Sequence, residues 1–392
     1  MVIKKNIPQL RFPEFKGGWE KKKLGDIMSN KSQKYNPKSN HESFKCIELE
    51  HLASETGHLI GYTDSQEAGS IKNRFEKGDV LFGKLRPYLR KYLLAPFTGV
   101  CSSEIWVLTG KKASNEFIYR LIQTNRFIGL ANQSSGSKMP RADWDVISSS
   151  LFYFPTLPEQ QKIASFFTAI DQKITQLKRK LTLLEQYKKG VMQLIFSQQI
   201  RFKDEVGQEF PKWEKKKLGE IATFFSGGTP LTTNKSYYYG DIPFIKSGEI
   251  SSDKTEQFIT STGLKNSSAK LVKEGSILYA LYGATSGEVA ISKMNGAINQ
   301  AVLCIQSKEN HYFIYSYLKF KKEVIINTYL QGGQGNLSAE IVKSIEIVLP
   351  SLPEQTTIAN FLSAIDDKIN HTQTQIEKVE HWKKGLLQKM FV

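Results

Sequence analysis

The sequence predicts an α+β protein with a pseudo-two-fold internal repeat: two mixed α/β domains, each followed by a long helix, the two helices pairing as an antiparallel coiled coil. Two observations carry this. Residues 157–196 recur at 352–391, with Pro158, Glu159, Gln160, Ile163, Ala164, Ala169, Ile170, Asp171, Lys188, Lys189 and Gly190 each returning 195 positions later. A shorter echo, Trp19 to Ile27 (WEKKKLGDI), returns at Trp213 to Ile221 (WEKKKLGEI). Both offsets are close to half of the 392-residue chain, so one unit is written twice. The boundaries follow: a first mixed domain over 1–156, the first long helix over 157–199, a second mixed domain over 200–351 and the second long helix over 352–392.

The mixed domains are read from short β-branched and aromatic runs separated by turn residues. In the first they are Asp79–Phe82, Glu104–Leu108 and Leu151–Phe154; in the second, Ser276–Tyr279, Ala301–Ile305 and Ile345–Leu349. One helical stretch follows the central strands of each, Asn115–Ala131 and Tyr312–Leu330. Lys77-Gly78-Asp79 aligns with Lys273-Glu274-Gly275-Ser276, so the order of elements repeats although the domain sequences diverge.

The long helices are read from heptads. Pro158 and Pro353 suit a first helical position, with Glu159 and Glu354 near the positive end of the dipole. Alternating steps of four and three run from Ile163 to Ile195 and from Ile358 to Met390; nine of ten seam positions are apolar in the first helix and eight of ten in the second. That spacing marks a coiled-coil seam, and two like seams related by a two-fold axis bury against each other antiparallel. Two independent domains, each packing its own helix, is the competing arrangement. Lys188 and Lys383 interrupt the seams; their stems can lie on apolar surface with the ammonium outside, while Gly190 and Gly385 would allow a close helix approach.

Composition bounds the function. The formal charge is +16; residues 1–200 hold 31 Lys and Arg against 18 Asp and Glu (+13), and the remainder 23 against 20 (+3). Such a balance favours a polyanionic partner. There is no apolar run of about 18 residues and no signal-peptide pattern, so a cytoplasmic protein with no membrane partner is expected. Cys46, Cys101 and Cys304 are isolated, which argues against a disulfide framework or a cysteine zinc site. Neither HExxH, GxxxxGK[ST] nor GxSxG occurs, and Ser226-Gly-Gly-Thr-Pro230 precedes no clear helix. No catalytic residue, metal ligand or cofactor of this chain is therefore expected.

Contact residues are read instead. In the first domain Lys84, Arg86, Tyr88, Arg90 and Lys91 interleave cations with an aromatic directly after a strand, a composition suited to phosphate contact and guanine readout; a solvated basic segment is the alternative. A polar loop follows with Ser137, Lys138 and Arg141; its counterpart carries Gln331, Gln334 and Asn336, side chains able to pair with adenine, or simply a turn. The second domain adds Gly228, Thr229, Lys246, Ser247, Tyr282 and Thr285. Lys21–Lys23 and Lys215–Lys217 recur in both repeats and belong to the framework.

The whole chain resembles the specificity subunit of type I DNA restriction-modification enzymes. The resemblance rests on Leu157-Pro-Glu-Gln160 and Leu352-Pro-Glu-Gln355 with their following Ile-Ala and Ala-Ile-Asp, on Gly227-Gly-Thr-Pro230, on the Trp19 and Trp213 segments, and on Gly78 to Tyr88. The first domain departs from the pattern, with Ser32-Gln-Lys-Tyr-Asn-Pro37 where Gly-Gly-Thr-Pro would stand. The resemblance implies that each mixed domain is a target-recognition domain reading one half of a bipartite, asymmetric site in double-stranded DNA. It implies that the paired helices set the unread spacer and dock two methylation subunits, with restriction subunits beyond them. S-adenosylmethionine, ATP and Mg belong to those partners. Lys188, Lys189, Gly190, Lys383, Lys384 and Gly385 are the expected partner contacts. A coiled-coil scaffold without DNA contact and a stand-alone nuclease or methyltransferase are the alternatives.

Overall fold

The computed structural model describes residues 6–40, 42–133, 139–329 and 336–392. Two compact units result, one formed by residues 1–179 with 373–392, the other by 180–372. Each unit takes part of both long helices.

The first unit holds two larger sheets. One orders Met28–Ser29, Ile105–Gly110, Val80–Gly83 and Tyr92–Leu94, all antiparallel. The other runs Lys34–Tyr35, Lys72–Phe75, Gly99–Cys101, Lys45–Ile47 and Thr63–Asp64, with one parallel pairing, Cys46 to Val100. The second unit repeats the plan. Ala222–Ser226, Val302–Ser307, Ile277–Ala280 and Val289–Ile291 form its antiparallel sheet. Phe258–Ile259, Tyr238–Ile245, Gly296–Ile298 and Lys270–Val272 form the other, again with one parallel pairing, Phe244 to Ala297. The aligned glycines do the same work: Gly78 (φ +90°) and Gly275 (φ +85°) turn the chain in the left-handed region just before a central strand.

The lysine-rich echoes are strands. Glu20–Lys23 pairs antiparallel with Leu151–Phe154, and Glu214–Lys217 with Glu346–Leu349, so each tethers the start of its domain to the strand that leads into the long helix. The expected single helix over Asn115–Ala131 is two, Asn115–Leu121 and Asn125–Ala131, because the Thr124 side chain accepts the Phe127 N–H and caps a new helix. In the second unit His311–Tyr329 is one helix, capped by Asn310, which accepts from Tyr312 and Phe313.

The long helices span Leu157–Phe196 and Leu352–Met390, so each proline is the second helical residue rather than the first. All twenty seam positions are buried or half-buried. Within the first unit Ile163, Phe167, Ile170 and Ile174 share a core with Leu386, Leu387 and Met390. Within the second, Met192, Ile195 and Phe196 share one with Ile358, Leu362 and Ile365. The pairing is antiparallel: in the first unit Asp171 meets Lys383 and Lys178 meets Glu380, so one helix descends as the other rises.

Candidate nucleic-acid interface

Both repeats build the same small surface. In the first unit the chain leaves the strand Val80–Gly83 and enters a short 3-10 turn, Pro87–Leu89, flanked by Arg86 (φ +51°) and Arg90 (φ +50°), both left-handed. Non-glycine residues rarely adopt that conformation, and strain of this kind concentrates at functional surfaces. The distant segment 139–142 joins it through main-chain bonds: Arg86 N–H donates to the Pro140 carbonyl at 2.8 Å, and Ala142 N–H to that of Lys84 at 2.8 Å. The Lys84 N–H donates to the Glu104 carbonyl at 2.9 Å.

The second unit has the same three-part junction. Leu337 N–H donates to Leu281 O and Leu281 N–H to Ala301 O, each at 2.8 Å. The turn following is Gly283–Thr285, again a 3-10 turn, and Ser247–Glu249 packs beside it. Arg141 and Asn336, each one residue before the junction, thus hold equivalent places.

The side chains placed there differ. In the first unit Arg86 and Tyr88 are exposed and Lys84 is half-buried. Arg141 is half exposed and paired with Glu104 at 3.0 Å. Arg90 reaches Asn125 at 2.7 Å, and the Lys91 ammonium turns inward to the Leu49 carbonyl at 2.6 Å. Lys91 is thereby a structural tie rather than the outward cation expected of it. In the second unit Lys246, Tyr282 and Asn336 are exposed, Ser247 and Thr285 half-buried. Thr229 is exposed and bonded to Gln300 at 2.7 Å, beside Ala301 of the junction. Gly228 is buried, and a side chain there would come within 2.6 Å of the Ser268 Cβ, so this glycine serves close packing, not contact. Ser137, Lys138, Gln331 and Gln334 lie outside the described residues.

Among the expected partner contacts, the two seam lysines are corrected. Lys188 is buried and bonds both carboxylate oxygens of Asp366 at 2.5 and 2.6 Å; Lys383 pairs with Asp171 at 2.7 Å. A seam lysine that meets a carboxylate inside the pair has no reason to reach outward. A side chain at Gly190 or Gly385 would meet open space, so neither marks a close approach within this chain. Lys189 and Lys384 are exposed, Lys384 pairing with Glu55 at 2.9 Å.

What sequence reasoning missed lies mostly behind the surface. Glu159 is buried and accepts from Arg11 at two atoms, each 2.7 Å, and from the Trp19 indole at 3.2 Å. Glu354 accepts from Arg201 at 3.2 and 2.7 Å and from Trp213 at 3.0 Å. The signal was present in Gln9-Leu-Arg-Phe12 and Gln199-Ile-Arg-Phe202. A second missed signal is Phe117-Ile-Tyr119, returning as Phe313-Ile-Tyr315. Tyr239, on a strand irregularity at φ +62° and 92% exposed, is a further aromatic presented to solvent.

Among the described residues no group of three or more His, Cys, Asp or Glu side chains is arranged to hold a metal, and no helix is long and apolar enough to cross a membrane. Residues 16–186 and 211–381 each match the family model described as the type I restriction modification DNA specificity domain. A putative type I restriction enzyme MjaX specificity subunit of Methanocaldococcus jannaschii is 25% identical over 97% of this chain and 95% of its own length. The HindI specificity subunit of Haemophilus influenzae is 23% identical over 85% and 90%. Among solved structures, the S subunit of a type I restriction-modification system from M. genitalium covers 98% of this chain and 99% of its own, at 15% identity and a TM-score of 0.61. A chain from a study of complex assembly and conformational transition of the type I R-M system covers 95% and 97%, at 19% identity and the same TM-score of 0.61.

Proposed function

Because the chain belongs to the type I restriction-modification DNA specificity family and carries two of its domains, we propose that it reads a bipartite, asymmetric site in double-stranded DNA, one half through each domain. The observation that carries this reading is the repeated junction with unlike side chains. Lys84, Arg86, Tyr88 and Arg141 occupy one copy, and Tyr282, Thr285, Lys246 and Asn336 the other. A common scaffold with different hydrogen-bonding groups is what two unlike half-sites require. The excess charge of the first half of the chain, +13 against +3, suits heavier phosphate contact by the first domain.

The chain itself is a non-catalytic subunit. The chemistry comes from two methylation subunits using S-adenosylmethionine, and from restriction subunits using ATP and Mg. The paired helices set the unread spacer and carry the docking faces. An aromatic patch on each repeat supports that assignment: Phe12, Phe166 and Trp382 in the first, with ring separations of 5.5 and 6.0 Å, and Phe202 with Phe361 in the second, 5.5 Å apart. Trp382 and Tyr187 stand 195 positions apart and are each about half exposed. Mapping methylated adenines in a host with and without the chain tests the proposal. A bipartite motif appearing only with the chain is expected; an unchanged methylation pattern would refute it.

A further inference from the structure

In each unit one aspartate joins three elements. Asp171, on the first long helix, accepts from Lys383 of the second helix at 2.7 Å and from Arg120 at 2.6 Å. Arg120 lies on the recognition-domain helix Asn115–Leu121 and is 3% exposed. Its second guanidinium nitrogen bonds Thr168 at 3.1 Å. In the other unit Asp366 accepts from Lys188 and from the phenol of Tyr312 on the helix His311–Tyr329. Aligning Phe117-Ile-Tyr119 with Phe313-Ile-Tyr315 puts Arg120 opposite Ser316 and Glu116 opposite Tyr312. Ser316 is too short to take over the role of Arg120, and its buried hydroxyl has no partner. The donor has moved one helical turn, to Tyr312, yet the same carboxylate receives it.

The recurrence of the three-way contact after its donor changed residue type and position is hard to attribute to chance packing. A carboxylate on one element bonded from two others fixes the mutual angle of all three, because charge-assisted hydrogen bonds are short and directional. The recognition domain carries the reading surface, so its angle on the helix pair governs how that surface meets base edges. An offset of about an ångström suffices to spoil such contacts.

We propose that Asp171 with Arg120, and Asp366 with Tyr312, are positioning joints that set the pitch of each recognition domain on the helix pair and so sharpen the reading of its half-site. This rests on the DNA-reading function proposed above. The test is to express the full chain with its partner subunits in a host free of adenine methylation and to map the motif for wild type, Arg120→Met and Tyr312→Phe. Each substitution removes the recognition domain's donor but leaves the aspartate–lysine pair intact.

Each variant is expected to keep one half of the motif sharp and blur the other, with opposite halves affected by the two. Discrimination against a single mismatched base pair in the affected half should fall by about tenfold or more. Uniformly reduced methylation at an unchanged motif would mean a purely structural role and overturn the proposal. So would full methylation at an unchanged motif, or blurring of the same half by both variants. Should Arg120→Met fail to fold, Tyr312→Phe, which preserves shape, decides alone. Absence of any motif with the wild-type chain would instead count against the DNA-reading function itself.

Discussion

Removing the buried glutamate of either Leu-Pro-Glu-Gln segment tests the frame most directly. In Glu354→Ala the Trp213 indole N–H loses its acceptor at 3.0 Å, and Arg201 loses both carboxylate oxygens. An orphaned buried donor costs about 1–3 kcal/mol, and breaking a buried pair from one side about 3–5 kcal/mol. The Arg201 side chain is 23% exposed and keeps bonds to the Phe210 and Pro211 carbonyls, so part of that penalty is relieved. A net loss of about 2–4 kcal/mol is expected. Glu354→Gln can still accept from Trp213 and should lose about half as much. The assay is urea unfolding of the full chain followed by tryptophan fluorescence, with Trp213→Phe completing a double-mutant cycle. A loss below about 1 kcal/mol for the alanine variant, within the range of an ordinary surface change, would refute the reasoning. Glu159→Ala should behave alike, since Arg11 and Trp19 repeat the arrangement.

The DNA surface and the thiols give further tests. Arg86→Ala or Arg141→Ala should weaken specific binding by about 1–3 kcal/mol where the arginine reads a guanine; unchanged affinity for both, measured at fixed salt, would remove them from the interface. All three cysteines are buried, and burial with the neighbouring Glu48 carboxylate pushes the Cys46 thiol up to about 11. The reactive thiolate of the folded protein is therefore scarce at pH 8 and gains only as pH rises toward that value. Iodoacetamide labelling at pH 8 should be negligible until denaturant unfolds the chain, and rapid labelling of native protein would contradict the burial.

The seam, the antiparallel pairing and the domain strands were legible because each leaves a periodic or repeated trace. Seam positions such as Ile163 and Ile358 are apolar at fixed steps, and the central strands lie within a residue or two of the runs read for them. The fate of Lys188 was not legible. A lysine in an apolar seam reads as a side chain escaping to solvent, and only the fold brings Asp366 to it. Lys91 misled for the same reason: its composition resembles that of Arg86, but its ammonium turns to a backbone carbonyl 42 residues away. Gly228 likewise reads as a contact residue in a glycine-rich segment, whereas Ser268 leaves no room for a side chain there.

Why the frame repeats in sequence while the readers diverge follows from which atoms make the bonds. The proposed reading surface is assembled by main-chain contacts, Ala142 to Lys84 and Arg86 to Pro140 in one unit, Leu337 to Leu281 in the other. Main-chain groups are the same whatever side chain they carry, so Arg141 can be exchanged for Asn336 without disturbing the junction. The frame is held the opposite way, by named side chains: a carboxylate between an arginine and an indole, an aspartate against a lysine of the facing helix. Changing any one of those leaves a buried polar group without its partner. Glu159, Asp171 and Lys188 are therefore constrained to return as Glu354, Asp366 and Lys383, while the side chains of the proposed reading surface are free to differ.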